Sequence, residues 1–367
     1  MEDRRKTPHE MRGIFLILTM ISVSLFPNFL ADLLDLSAVA DVPFSLPNSA
    51  SGMIFQSRDF VSFQIHGDSL SFFITKGVDF PLPLNTSILS PLCSRKGVDS
   101  SLMKAVMRME SSFRLHAISR SNAKGLMQIK TPTAFENGAF NSFDPFQNVS
   151  AGCEYLSKLI EKTGSIEEGL AAYFMGYRAF RERGYTSSSR RYVERVMKYM
   201  EYYRKKGVEE VIKDRMRFGV GFKLKSNHYE LHFLTAIPIL GYLQLAGDAT
   251  LMEDGVSFTL NPSLYITDTI SIGLKFDSFK SAPIFGVNLR SVDSRYSTNV
   301  SIGSRDGMNF SILWEDKNLL FGFRTGKNGI AFGGNMNIED VHFGCGVNLR
   351  SFDSLEFFFS IAFMYEI

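Results

Sequence analysis

The spacing of apolar residues changes three times along the chain. From Gly13 to Phe26 the run GIFLILTMISVSLF is apolar at most positions and closes at Pro27. Between residues 41 and 90 short runs alternate, as in Phe60-Val61-Ser62-Phe63-Gln64-Ile65 and Leu70-Ser71-Phe72-Phe73-Ile74, and a Pro-rich stretch, Pro81-Leu82-Pro83-Leu84, follows. That pattern predicts a small β segment leading into a linker. From 91 to 215 the period lengthens. Leu102, Ala105, Val106 and Met109 fall at i, i+3, i+4 and i+7 behind Asp99, a helix-capping residue. Asp144-Pro145 starts a second helix, whose stripe is Val149, Cys153, Leu156, Leu159 and Ile160. Further helices are expected at 166–175 and 189–205.

From 216 to 367 the period returns to two. Phe218, Val220, Phe222 and Leu224 alternate with Gly219, Gly221 and Lys223, and Ile270, Ile272, Leu274 and Phe276 with Ser271, Gly273 and Lys275. About ten such runs separated by turn signals predict an antiparallel β-meander or β-barrel. The expected architecture is therefore multi-domain α and β: a signal peptide (1–40), a small β segment (41–90), a mainly helical domain (91–215) and a C-terminal β region (216–367).

Arg4, Arg5, Lys6 and Arg12 precede the first apolar run, which is short for a spanning helix. A basic segment before such a run reads as a secretory signal peptide, with an uncleaved anchor as the alternative. Ala38-Val39-Ala40 fits a cleavage site, and Ala31 is a second option. Either way the body of the chain leaves the cytoplasm.

Composition narrows the function classes. Forty basic and 38 acidic residues give a net charge of +2, so no global field recruits nucleic acid. Cys93, Cys153 and Cys345 are too scattered for a disulfide framework or a zinc site. In the β region, apolar residues on one face and Gly, Ser, Asn, Lys and Arg on the other suit a membrane barrel with a polar lumen. A soluble β-sandwich with the alternation facing a core is the competing reading.

The candidate chemistry lies in the helical region. Glu110 follows Met109 at the border of an apolar stripe, in the last turn of its helix. Partial burial and the negative end of the helix dipole both push its pKa upward, as a proton donor working near neutral pH requires. The residues that follow are Glu110-Ser111-Ser112-Phe113, Gly125-Leu126-Met127-Gln128-Ile129, Asp144-Pro145-Phe146-Gln147-Asn148-Val149, Ala172-Tyr173-Phe174-Met175-Gly176 and Arg191-Tyr192-Val193. In this order they resemble the soluble lytic transglycosylase family over residues 90–205. The family usually has Asn where this chain has Phe174.

The resemblance implies a lysozyme-like catalytic domain acting on peptidoglycan glycan strands. It implies a substrate-assisted route with Glu110 as acid and then base, a 1,6-anhydro product, and no metal or cofactor. Ser111, Met127, Gln128, Tyr173 and Tyr192 are its substrate-binding candidates: Gln128 for the acetamido group, Met127 as an apolar wall, the tyrosines as donors to sugar or to Glu110. The expected setting is the periplasm, with outer-membrane lipid met through residues 216–367. A water-using muramidase and a non-enzymatic glycan-binding envelope protein are the alternatives.

Overall fold

The computed structural model describes residues 60–365, apart from short segments at 67–68, 120, 226–227, 240–241, 279–283, 293–295, 304–306, 317–318, 327–328, 339–340 and 352–353. The expected signal peptide lies outside the described residues. Two strands open the described residues, β1 (Phe60–His66) and β2 (Ser69–Asn85). A helical domain follows, with α1 (Thr86–Ser94), α2 (Ser100–Glu110), α3 (Thr131–Glu136), α4 (Pro145–Thr163), α5 (Ile166–Met175), α6 (Tyr177–Arg183) and α7 (Ser187–Lys206). A two-stranded sheet, β3 (Ala123–Lys124) with β4 (Ile129–Lys130), lies between α2 and α3.

Twelve long strands complete the chain: β5 (Val211–Lys225), β6 (His228–Ile239), β7 (Leu243–Met252), β8 (Gly255–Thr267), β9 (Ile270–Asp277), β10 (Ile284–Arg290), β11 (Tyr296–Gly303), β12 (Gly307–Asp316), β13 (Leu319–Gly326), β14 (Gly329–Ile338), β15 (Val341–Ser351) and β16 (Ser354–Tyr365). Each pairs antiparallel with the next. β16 then pairs with β1, β1 with β2, and β2 with β5, so fourteen strands close a barrel.

This arrangement corrects the expected domain plan. Residues 60–85 are not a separate small β segment: they are two barrel strands, and the helical domain is inserted between β2 and β5. The expected linker at Pro81–Leu84 belongs to β2, whose pairing with β5 shifts register between Pro81 and Asn85. A proline has no amide hydrogen to give a ladder, so irregular pairing at this end of the strand is where it is tolerated. The C-terminal run of barrel strands begins at Val211 rather than at 216.

Side chains divide between the two faces of the barrel wall. Phe218, Val220, Phe222 and Leu224 of β5 are exposed, as are Phe233 opposite Val220 and Tyr229 opposite Leu224. Val256, Phe258, Leu260 and Ile266 of β8 are exposed, while Asn261, Ser263 and Tyr265 between them are buried. Arg217, His232, Ser271 and Lys275 are also buried. The wall is thus apolar outside and polar inside over the strands whose burial is described. Among the described residues no helix is long and apolar enough to cross a membrane, which says nothing of strands.

The helical domain has a conventional core. Leu102, Met103, Val106, Met107, Val149, Leu156, Leu170, Val193, Val196 and Met200 are buried together. The caps read from the sequence are present: Asp99 accepts from the Ser101 amide at 2.9 Å, and Asp144 from the Phe146 and Gln147 amides at 2.9 and 3.0 Å. Cys93 and Cys153 form a disulfide between α1 and α4, a single bridge where the scattered cysteines predicted no disulfide framework. Sixty residues separate them, and only packing of α1 on α4 brings them together.

Candidate active site

Helix α2 delivers Glu110 as its last residue, and α7 packs across α2. Thr186 and Ser189 start α7 with a reciprocal capping box, and its buried stripe is Tyr192, Val193, Val196, Met200 and Tyr203. Tyr192 is therefore held over the end of α2, and its hydroxyl donates to Glu110 Oε1 at 2.5 Å. Glu110 is half-buried. Burial pushes its pKa up to about 7, and the Tyr192 hydrogen bond opposes part of that rise. Burial and the nearby Glu110 carboxylate raise Tyr192 and Tyr173 well above the ordinary phenol value, so both stay protonated donors.

After Glu110 the backbone turns through left-handed conformations at Ser112 (φ 52°) and Phe113 (φ 64°), neither of them glycine. Such geometry costs on the order of 1 kcal/mol or more per residue and persists only where surroundings enforce it. Here the barrel helps enforce it. Lys213 of β5 donates its amide to the Phe113 carbonyl at 3.0 Å and accepts from the Leu115 amide at 2.9 Å. The His116 ring is hydrogen-bonded through Nδ1 to the buried Asp214 carboxylate of the same strand, and Arg114 binds Asp79 of β2 at 3.0 Å. The loop that follows the candidate acid is bonded directly to barrel strands.

The second wall is the turn from Lys124 to Gln128. Gly125 has φ +76°, and a Cβ there would lie 2.2 Å from the Ser142 carbonyl oxygen, so only glycine fits. Asn148 on α4 locks this turn, its Oδ1 accepting from the Met127 amide at 2.8 Å and its Nδ2 donating to the Lys124 carbonyl at 3.0 Å. Ser111 Oγ donates to the Leu126 carbonyl at 2.8 Å, joining the end of α2 to the turn. Tyr173 donates to the Met127 carbonyl at 2.7 Å.

These placements sort the expected site residues. Glu110 and Tyr192 meet directly. Ser111 and Tyr173 hold backbone in the turn beside them. Met127, expected as an apolar wall, has a fully buried side chain (0% exposed), in a space left by Gly152, where a Cβ would lie 2.5 Å from its sulfur. Apolar bulk and a neighbouring glycine draw it inward, so it presents no apolar wall to a ligand. Gln128 Nε2 donates to the Ala117 and Gly125 carbonyls at 2.8 and 2.9 Å. Both amide hydrogens are thus used within the protein, and Oε1 is the group it can offer an acetamido N–H.

Three features were not foreseen as parts of the site. Phe174 stacks on the Tyr192 ring at 4.8 Å and is exposed on its other side. Asn148 belongs to the Asp144–Val149 motif segment, where the sequence assigned it no role. Asp268, in the turn after β8, is 1% exposed and accepts from the Ser142 amide and hydroxyl, both at 2.7 Å, and from Thr131 Oγ1 at 3.0 Å. Its own amide donates to the Phe140 carbonyl at 2.8 Å. The barrel therefore grips the helical domain through the paired strands β2 and β5 and through the β8–β9 turn.

Residues 92–194 match the family model of the transglycosylase SLT domain. Among curated proteins, the membrane-bound lytic murein transglycosylase F of Desulfosudis oleivorans is 37% identical over 103 residues, or 26% of this chain and 23% of that protein. Among solved structures, an inactive mutant of the lytic transglycosylase Slt from Pseudomonas aeruginosa is 25% identical, with 35% of this chain and 25% of that chain covered and a TM-score of 0.31. The 70-kDa soluble lytic transglycosylase of Escherichia coli is 27% identical, with 31% and 24% covered and a TM-score of 0.28. The chain thus spans about a quarter of the length of these relatives. The family expected from the motifs is the one whose model matches, and the barrel strands lie outside the matched segment.

Proposed function

We propose that this chain is a peptidoglycan lytic transglycosylase that works at the outer membrane. The observation that carries the reading is Glu110: a half-buried carboxyl with a pKa near 7, hydrogen-bonded to a buried tyrosine at the end of a helix. A group of that kind is half protonated at neutral pH, so it can give a proton and later take one. In the proposed route Glu110 protonates the oxygen that leaves the muramic acid sugar, and the sugar's own acetamido oxygen attacks the anomeric carbon as the glycosidic bond breaks. The Glu110 carboxylate then removes the proton of the 6-hydroxyl. That oxygen attacks the anomeric carbon, the acetamido oxygen leaves, and a 1,6-anhydro ring closes with no water consumed. Tyr192 holds the carboxyl and stabilises its ionised form between the two steps, while the exposed face of Phe174 offers the ring faces of the glycan an apolar platform.

Location rests on the barrel and the disulfide. An even-stranded closed barrel with apolar residues outside and polar ones inside satisfies its backbone internally and matches the requirements of a bacterial outer membrane. The Cys93–Cys153 bond favours an oxidising compartment such as the periplasm. The curated relative carries "membrane-bound" in its name, in agreement with an envelope setting.

The test is mass analysis of the products released from purified peptidoglycan, with Glu110→Gln as the control. An anhydro product supports the route, and a product heavier by one water means hydrolysis. Glu110→Gln should lose at least about 100-fold in rate while still folding, the usual worth of a positioned general acid. A smaller loss removes Glu110 from that role.

A further inference from the structure

Phe140 and Phe146 are 59% and 46% exposed, although neither side chain has a polar atom to offer water. The segments that carry them are tied together: Gln147, next to Phe146 in the first turn of α4, accepts from the Phe140 and Asn141 amides at 2.9 and 3.1 Å through Oε1. Phe135 of α3 backs Phe140 with ring centroids 5.6 Å apart. The aromatic group is pinned to the barrel rim. The Phe140 carbonyl accepts from the Asp268 amide, and Asn141 Nδ2 donates to the Tyr265 carbonyl at 2.9 Å.

That rim is where an apolar row on the barrel's outer face ends. Val256, Phe258, Leu260 and Ile266 occupy exposed positions along β8, and Ile266, 49% exposed, is two residues from Asp268. The exposed Phe140 is thus bonded through its carbonyl to the residue two positions beyond Ile266, where that row ends. Phe174, by contrast, stacks on Tyr192 at the candidate active site.

We infer that Phe140 and Phe146 form an interfacial anchor that enters the headgroup–acyl boundary of the leaflet on the helical domain's side, fixing that domain against the membrane surface. The inference rests on the proposal that the barrel inserts in a membrane. Its physical basis is continuity. Lipid that covers Ile266 meets Phe140 next, and aromatic rings at that depth leave water without losing a hydrogen bond.

The test uses the full chain, with Trp314→Phe to remove the native indole, refolded into phosphatidylethanolamine–phosphatidylglycerol vesicles. One variant adds Phe140→Trp and a second adds Phe258→Trp as a barrel reporter. Bromines placed on the acyl chains near the headgroup should quench the indole at position 140 at least twofold, and acrylamide should quench it little. The indole at position 258 should be quenched by brominated acyl chains whether or not the anchor exists. If position 258 is quenched and position 140 is open to acrylamide alone, the anchor is refuted and the barrel stands. If neither is quenched by lipid, both readings fall. Protection of position 140 by added glycan strands, with no quenching by lipid, would also overturn the anchor and assign the patch to substrate.

Discussion

Removing one oxygen atom tests how Glu110 is tuned. Tyr192→Phe keeps the ring, its stack with Phe174 and the packing of α7 on α2, and deletes only the hydroxyl that donates to Glu110 at 2.5 Å. A hydrogen bond to a charged group contributes about 1.5–3 kcal/mol. At 1.36 kcal/mol per pKa unit, this corresponds to about one to two units. The sign is set by which form of the carboxyl gains. The hydroxyl favours the carboxylate, so its loss raises the pKa of Glu110 above its present value of about 7. Cleavage begins from the protonated form, so the alkaline limb of kcat/KM should lie near pH 7 in the parent and about one unit higher in the variant. The assay is release of soluble product from peptidoglycan across roughly pH 5–10, with folding checked at each end. An alkaline limb that stays in place, or moves down, would mean that Tyr192 does not govern the ionisation of Glu110.

The same burial makes a stability prediction. Because the folded-state pKa of Glu110 is raised from 4.5 to about 7, its favourable contribution is full below pH 4.5 and lost as pH rises through 7. The shift corresponds to about 3 kcal/mol, so Glu110→Gln should stabilise the folded chain at pH 8 by up to about that amount and by much less at pH 5, measured by denaturant unfolding. Equal gains at both pH values would contradict it. Asp268→Ala should strip acceptors from Ser142 and Thr131 and destabilise the helical domain by about 3 kcal/mol or more, while gel mobility still reports a folded barrel. A change under about 0.5 kcal/mol in that variant would show that the β8–β9 turn does not carry the joint. Reduction of Cys93–Cys153 should lower stability by about 4 kcal/mol on chain-entropy grounds, and an unshifted unfolding midpoint under reductant would argue against it.

The sequence made visible what depends on near neighbours. Asp99 and Asp144 announce their helices because a cap acts within three residues, and the alternation in β5 or β8 reflects two faces of one strand. Glu110 was legible from its motif context, and Tyr192 came with it. What escaped notice depends on residues far apart in the chain. β1 and β2 carry the same alternation as a small hairpin, and nothing local says that β16 will return to pair with β1. Met127 sits within a motif that resembles a substrate-binding segment, yet its direction is decided by Gly152, on another helix. Cys93 and Cys153 lacked a recognisable spacing because the fold, not the interval, brings them together. Asp268 reads as an ordinary turn residue until Ser142 and Thr131 arrive from more than a hundred positions earlier.

The insertion of the helical domain between β2 and β5 has a consequence for the order of assembly. Pairing these strands from an unfolded chain would mean closing a loop of about 125 residues, an entropic cost on the order of 4 kcal/mol. Once the helical domain is folded, its two ends already lie side by side: the Thr86 amide donates to the Glu210 carbonyl at 2.9 Å, and Asn85 is paired with Val211. The folded domain then acts as a preformed hairpin turn, presenting β2 and β5 to each other in register. A chain built this way favours completing its helical domain first and zipping its barrel second. A lesion in the helical core, remote from every strand, would then be felt as a failure of the barrel to close.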